Sequence, residues 1–308
     1  MSLASHGIFE NIIEFPDPQA KRRYERLIGL DNVKERLHKE AQILLNPNLL
    51  EEWSKKHHGE RISLVDKFRE RSPLFIFGGD VGTGKTELAA TFGDKFARTE
   101  DVSVTLYNLS LSARGSGAVG EMTRLISSAF NEVAEAAQKI SKNRGKPQGA
   151  VILLIDEADA IAQSREFSQM HHEDRAGVNA LIRGISNLTA NNLPALVVMC
   201  TNRLEAIDPA VRRRAADTFF FDRPNEIQRR SLIKSALKDA KFKEEEINEL
   251  VKITGKQTSV NYGFTFSDIT QRLLPDILLD AFPDNAIKFD RALTVAKKLK
   301  PTPPFKEQ

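Results

Sequence analysis

Residues 79–86, GDVGTGKT, fit the pattern G-x-x-x-x-G-K-[ST], and each fixed position has a chemical cause. Glycines let the backbone wrap closely enough for its N–H groups to point at phosphate oxygens. A helix that begins near Lys85 turns its positive dipole end toward the same anion. Lys85 then reaches the β- and γ-phosphates, and the Thr86 hydroxyl coordinates Mg2+. The run Asp80, Val81, Gly82, Thr83, Gly84, Lys85, Thr86 and Glu87 is therefore the predicted cradle for ATP with Mg2+. A strand-like segment, LFIF (74–77), enters the loop and an apolar helix leaves it, which is the context such a loop needs.

Three further polar sites accompany the loop. The apolar run VILLI (151–155) leads straight into Asp156-Glu157. Alone, that pair reads equally well as a solvated turn capping the next helix. With a phosphate loop upstream, Asp156 is predicted to help hold Mg2+ and Glu157 to polarise the attacking water, which hydrolysis requires in line with the γ-phosphate. The run ALVVMC (195–200) ends in Thr201-Asn202, and Asn202 there is either a common turn residue or, with the phosphate loop upstream, the amide expected to orient that water. Arg212, Arg213 and Arg214 form a cationic run that is either a basic surface turn or the source of an arginine finger for an ATP on the neighbouring subunit. Arg213 and Arg214 are the candidates carried forward. His171-His172 is not read as a metal site, because adjacent side chains diverge and no third ligand stands at standard spacing.

Five short apolar runs must position these residues: 74–77, 102–106, 151–155, 195–200 and 219–221. Several are apolar at consecutive positions, the mark of strands buried on both faces of a parallel sheet. Helical patterns lie between them at 86–96, 121–140 and 175–188, after two more at 31–44 and 49–56. The alternation predicts an α/β domain ending near Pro224. Beyond Asn225, helical spacing at 227–237, 243–254, 267–282 and 290–298 predicts a small helical domain, with Pro275 kinking or splitting its third helix. The first ~20 residues, with Pro16-Asp17-Pro18, read as an arm, and Pro301, Pro303 and Pro304 as a frayed tail.

Composition narrows the function classes. The 308 residues hold 41% hydrophobic and 28% charged side chains, ordinary for a folded chain with a sizeable core. Positive residues number 45 and negative 42, and a net charge of +3 gives no argument for nucleic acid. The single cysteine, Cys200, excludes an internal disulfide and a cysteine-based zinc site. No apolar stretch reaches membrane-spanning length and no secretion signal is visible, so a cytoplasmic protein without a membrane partner is expected.

In this order, the motifs resemble those of the AAA+ ATPases over residues 27–298. RLIGLDNVKERL (26–37) looks like the family's segment before the phosphate loop, and IDEADAIAQSR (155–165) is similar to its acidic motif. AIDPAVRRRAAD (206–217) is similar to its arginine-finger turn, and GFTFSDI (263–269) resembles the lid motif G-F-S-G-A-D-[LI]. EDRAGVNALIRGISNL (173–188) and RAADTFFFDRP (214–224) resemble the pachytene-checkpoint-type remodellers of HORMA-domain proteins in a short bacterial form.

The resemblance implies a P-loop NTPase fold, a parallel five-stranded sheet with helices on both faces, plus a small C-terminal helical lid domain. It implies an arm at 1–25, a nucleotide-binding domain at 26–224, a lid at 225–300 and a tail at 301–308. It also implies a homo-hexamer hydrolysing ATP at its interfaces, with Ile28 and Gly29 beside the adenine. The protein client gripped in the pore would be a HORMA-domain protein in bacterial anti-phage cyclic-oligonucleotide signalling. The first pore loop would lie in SARGSGAVGEM (112–122), with Arg114, Ala118, Val119 and Gly120 as its gripping residues although the family's aromatic is missing. A second would lie at 166–174. The lid carries no arginine at Ser267, the motif's second glycine is replaced by Phe266, and Arg272 is a remote substitute for the missing cation. Two other readings are a DNA-associated loader and a nucleotide-regulated scaffold without steady turnover. One basic residue, Arg114, in the first loop speaks against the loader, and the intact Asp156 and Glu157 speak against the scaffold.

Overall fold

A computed structural model of the chain describes residues 7–46, 48–110, 120–141, 149–162, 172–256 and 261–305. The strands β1 (Phe9–Phe15), β2 (Leu74–Gly79), β3 (Ser103–Leu109), β4 (Gly149–Ile155), β5 (Ala195–Thr201) and β6 (Asp217–Phe221) form a six-stranded sheet in the order β1-β3-β4-β5-β2-β6. The chain divides into two compact units. The first comprises residues 1–26, 31–78 and 86–220, and the second residues 27–30, 79–85 and 221–308. This differs from a division at 224, because residues 27–30 and the phosphate loop group with the C-terminal helices.

The first unit is the sheet and the helices on its faces: α1 (Pro18–Glu25), α2 (Asp31–Leu45), α3 (Asn48–His58), α4 (Ser63–Arg69), α5 (Lys85–Glu100), α6 (Glu121–Ser141), α7 (His172–Ala190) and α8 (Pro209–Arg212). β2, β3, β4 and β5 run parallel, with Ile155 opposite Met199 and Gly78 opposite Thr201. All seven residues of β4 and of β5 are buried, as their consecutive apolar runs require when helices cover both faces. On one face Ile76, Val151, Leu153 and Val197 pack with Ile126, Phe130 and Val133 of α6 and Val178, Leu181 and Ile185 of α7. On the other, α5 buries Leu88, Ala89, Phe92 and Phe96, with Gly93 lying against Ile152.

The stretch expected as an arm is part of this unit. β1 is a sixth strand, antiparallel to β3, with Phe9 and Phe15 buried at its two ends. A register shift between Phe9 and Asn11 breaks the alternation by which the strand could be read from sequence. The following turn docks on α5. The Asp17 N–H donates to Asp94 Oδ1 at 2.7 Å, while Asp17 Oδ2 caps α1 by accepting from the Ala20 N–H at 2.7 Å.

The second unit is built on α9 (Glu226–Ala236), α10 (Glu244–Ile253), a π-helical segment (Asp268–Leu273), α11 (Leu274–Ala281) and α12 (Phe289–Lys298). Asn225 and Gln228 form a reciprocal capping box at the start of α9, so two backbone N–H groups are satisfied there. Pro275 falls in the first turn of α11, where its missing N–H costs nothing, and the expected kink or split is instead a π-helical stretch that runs into α11 without a break. Leu232, Ile247, Leu250, Phe264, Ile269 and Ile277 anchor the core.

The end of the chain is held, not frayed, as far as Thr302. Pro301 is buried, and Asp268, itself only 1% exposed, binds the following residue. Asp268 Oδ1 accepts from the Thr302 hydroxyl at 2.6 Å and from Arg272 Nη1 at 2.8 Å. Its Oδ2 accepts from the Thr302 and Thr265 N–H groups at 3.0 and 2.9 Å. Burial pushes this carboxyl up, but those hydrogen bonds outweigh it and hold the group below its ordinary value. A depressed carboxylate stabilises the fold fully above the unfolded value of about 4, and the contribution is lost as pH falls through the lower folded value. Asp268→Asn is therefore expected to cost about 1–3 kcal/mol at pH 7, with the deficit shrinking below about pH 4. Urea unfolding at both pH values checks this, and an equal deficit at both would remove the ionised carboxylate as the cause.

Candidate active site

Within the second unit, residues 79–85 form the loop. Gly79 has φ 150° and Gly82 φ 71°, a region that disfavours side chains. A Cβ on Gly79 would lie 2.1 Å from the Phe221 carbonyl oxygen, and one on Gly82 would lie 2.8 Å from Thr265 Oγ1 and from Ser267 Cβ. Both positions therefore demand glycine for space as well as for φ. Lys85 is 6% exposed, and its Nζ donates to the Gly79 and Asp80 carbonyls at 3.0 and 2.7 Å. Thr83 Oγ1 also donates to the Asp80 carbonyl, at 2.7 Å. These bonds turn two carbonyl oxygens toward the lysine side. The wrapped loop, a buried cation and a helix beginning at Lys85 make a fit for a polyphosphate.

The lid motif meets this loop directly. The Ser267 N–H donates to the Gly82 carbonyl at 3.1 Å. Asp80 Oδ1 accepts from its neighbouring Val81 N–H at 2.8 Å, and Oδ2 accepts from Arg223 Nε at 2.6 Å. Ile28 packs against the lid core, and the Gly29 carbonyl accepts from Gln228 Nε2 at 2.7 Å. Arg272 is committed to Asp268 and to the chain end at Lys300 and Thr302, so its guanidinium serves the lid.

In the first unit, β2, β4 and β5 deliver Gly78, Asp156 and Asn202 to the same carboxyl edge of the parallel sheet. Asp156 is half-buried. Its Oδ1 accepts from the Glu157 N–H at 2.9 Å. A carboxylate oxygen donor of this kind suits Mg2+. Glu157 is exposed, with φ 48° and ψ 43°. A non-glycine residue in this left-handed region costs about 1–3 kcal/mol and persists where its surroundings fix it. The surroundings here are the short turn Ala158–Ala160, stitched to β5 by Thr201 Oγ1 donating to Asp159 Oδ1 at 2.8 Å. Thr201 Oγ1 accepts in turn from the Arg203 N–H at 2.9 Å, which fixes the strand end that carries Asn202.

Thr86 is exposed in the first turn of α5. The Glu87 carboxylate is taken by a two-point bond from Arg23 of α1, at 2.8 and 2.7 Å, so what Glu87 can give a nucleotide is its backbone. The buried Asp208 caps α8 by accepting from the Ala210 N–H at 2.7 Å. Arg214 is half-buried and donates to the Ala210 carbonyl at 3.0 Å, whereas Arg213 is exposed and held by one long bond of 3.3 Å to the Pro209 carbonyl. Arg212 lies 3.9 Å from Glu205. Of the three, Arg213 is the one most available to reach outward.

Arg114, Ala118 and Val119 lie outside the described residues, as do His171 and positions 166–170 of the second loop. Gly120 is described, with φ 81° and open space around it, immediately ahead of α6. Among the described residues no group of three or more His, Cys, Asp or Glu is placed to hold a metal ion, and no helix is long and apolar enough to cross a membrane.

Residues 75–223 match the family model described as ATPase family associated with various cellular activities (AAA). CD-NTase-associated protein 6 of Escherichia coli (strain MS 115-1) is 54% identical over 298 residues, 97% of this chain and 96% of that protein. A chain in the structure of the E. coli MS115-1 HORMA:CdnC:Trip13 complex superposes with a TM-score of 0.92 at 53% identity, over 97% of this chain and 98% of that one. The structure of Rhizobiales Trip13 matches with a TM-score of 0.76 at 46% identity, over 96% of this chain and 100% of that one. With a near full-length relative at this identity and an intact phosphate loop on this sheet, the chain belongs to the AAA ATPase family, in its Trip13/PCH2 type.

Proposed function

We propose that this protein is a Mg2+-dependent ATPase that works as a cytoplasmic homo-hexamer and opens or disassembles a HORMA-domain protein in anti-phage cyclic-oligonucleotide signalling. The observation that carries the reading is the match along nearly its whole length to a chain of a HORMA:CdnC:Trip13 complex, in a protein whose phosphate loop and acidic strand end keep every functional group. In this reading the loop amides and Lys85 bind the triphosphate, and Thr86 with Asp156 holds the Mg2+ that neutralises its charge. Glu157 and Asn202 orient the attacking water, with Ile28 and Gly29 beside the adenine. Arg213 reaches the ATP of the adjacent protomer and stabilises charge on the transferred phosphoryl group. The segment with Arg114, Ala118, Val119 and Gly120 grips the client.

The test joins turnover to client opening. Purified HORMA-domain partner closed on its peptide should release that peptide only with hydrolysable ATP and this protein. Arg213→Ala is expected to bind ATP normally and to hydrolyse it about 10³-fold more slowly, the lower end of what an arginine finger contributes. Mixing Arg213→Ala with Lys85→Ala should raise activity above both parents, since one variant supplies the loop and the other the arginine. No rise at any ratio would mean that the sites are not shared between protomers.

A further inference from the structure

The phosphate loop of this chain contains an anion of its own. Asp80 follows the first glycine of the loop read as a phosphate cradle, and its carboxylate is held by the Val81 N–H and by Arg223. A negative charge beside a triphosphate weakens its binding unless a cation cancels it. Arg223, on the short connection between β6 and α9, supplies that cation. Its Nε donates to Asp80 Oδ2 at 2.6 Å, and the two side chains are only 14% and 19% exposed, so solvent screens the pair poorly. Its Nη1 donates to the Gly263 carbonyl at 2.5 Å, and its guanidinium lies 4.9 Å from the centre of the Tyr262 ring.

Gly263 opens the lid motif. Three residues beyond it are Phe266 and then Ser267, whose N–H holds the Gly82 carbonyl. The lid segment 263–267 is thus fastened to the loop at two points, through Arg223 at Asp80 and through Ser267 at Gly82. Among the described residues, neither lid position that could carry this cation supplies it. Position 267 carries no charge, and Arg272 is bound to Asp268, Lys300 and Thr302. A guanidinium suits the task because its fork bonds a carboxylate and a carbonyl at once while its face rests on an aromatic ring.

We propose that Arg223 is a positioning residue of the nucleotide site, which cancels the Asp80 charge beside the triphosphate and ties the phosphate loop to the lid segment at Gly263. This rests on the reading of residues 79–86 as an ATP cradle. Arg223 acts through Asp80 and Gly263, so its removal leaves an uncompensated carboxylate on the loop and a lid segment without its tie.

The experiment is a double-mutant cycle on the full chain, with fluorescently labelled ATP and Mg2+ as the probe in an anisotropy titration. Arg223→Ala is expected to weaken binding by about ten- to a hundredfold, the range of strongly coupled pairs. Asp80→Asn should tighten it a few-fold. The double variant Arg223→Ala/Asp80→Asn should recover most of the affinity, and Arg223→Lys, which keeps the charge and loses the fork, should fall between wild type and Arg223→Ala. Urea unfolding of the nucleotide-free variants supplies the second readout, since a merely architectural role predicts affinity falling in step with stability and no rescue by Asp80→Asn. A double variant as weak as Arg223→Ala, or wild-type affinity in Arg223→Ala, overturns the proposal. Lys85→Ala in the same titration separates the two ideas. Wild-type affinity there sinks the cradle itself, whereas lost affinity there with a flat Arg223 series sinks only the role of Arg223.

Discussion

Lys85→Ala is expected to lose ATP affinity by at least about a hundredfold, beyond the range of a physiological ligand concentration. A preorganised cation in a site shielded from water contributes on the order of 10²–10³ in binding or rate, because low polarisability around it strengthens each charge interaction. Lys85 has both qualities. It is 6% exposed, and its ammonium is already held by the Gly79 and Asp80 carbonyls. Truncation therefore removes the charge and also takes the Lys85 donor from the Gly79 carbonyl, while the Asp80 carbonyl keeps its bond from Thr83 Oγ1. The second loss makes a control necessary, since leaving buried acceptors without donors costs about 1–3 kcal/mol. Lys85→Met, which fills the same volume, should show the same loss of affinity with less loss of stability. Isothermal titration of both variants with Mg-ATP, beside their urea unfolding curves, separates charge from packing. Affinity within about threefold of wild type in either variant would sink the cradle.

What the sequence disclosed depends on how far apart the interacting residues lie. The conformation of the loop was legible because it is made by consecutive residues, whose types are set by local φ and by space. Gly79 and Gly82 illustrate both constraints. β4 and β5 were legible because burial on both faces leaves an unbroken apolar run. β1 was not, since its register shifts after Phe9 and its partner strand lies some ninety residues away. α4 was also missed. Its Ile62 cap makes no side-chain bond, and Leu64 is exposed, so neither a start signal nor a clean apolar stripe marks it.

The candidate site divides along the same line. Asp156 and Glu157 announced themselves as acids at the end of an apolar strand. Arg23 and Arg223 did not, because each gains meaning only from a carboxylate 64 or 143 residues distant. The same is true of the chain end. Prolines at 301, 303 and 304 favour an irregular path, but the carboxylate that captures Thr302 belongs to a lid segment 34 residues earlier. The second unit gathers the loop for this reason, since Arg223 and Ser267 bind it from distant parts of the chain.

Glu157→Gln is expected to separate binding from turnover. The substitution keeps size and shape and removes the carboxylate. Glu157 is exposed, so stability should stay within about 0.5 kcal/mol of wild type. Gln occupies the same left-handed backbone at a similar cost, held by the Ala158–Ala160 turn and its bond from Thr201. The loop has bonds of its own, from Lys85 and Thr83 to the Asp80 carbonyl and from Arg223 to the Asp80 carboxylate. ATP affinity should therefore be retained. Turnover is a different matter, because an amide can accept a hydrogen bond but cannot draw a proton from the attacking water. Loss of a positioned base typically lowers a rate by about 10²–10⁴, so phosphate release should fall by at least about a hundredfold. In the proposed cycle, a variant that holds ATP without splitting it would stall at the stage that grips a client, so it should capture purified HORMA-domain partner in the presence of ATP and release it with ADP. The proposed chemistry and the proposed client are thus read from one protein preparation. Wild-type phosphate release from Glu157→Gln would remove Glu157 from the reaction, whereas slow release without ATP-dependent capture would leave the ATPase standing and refute the client.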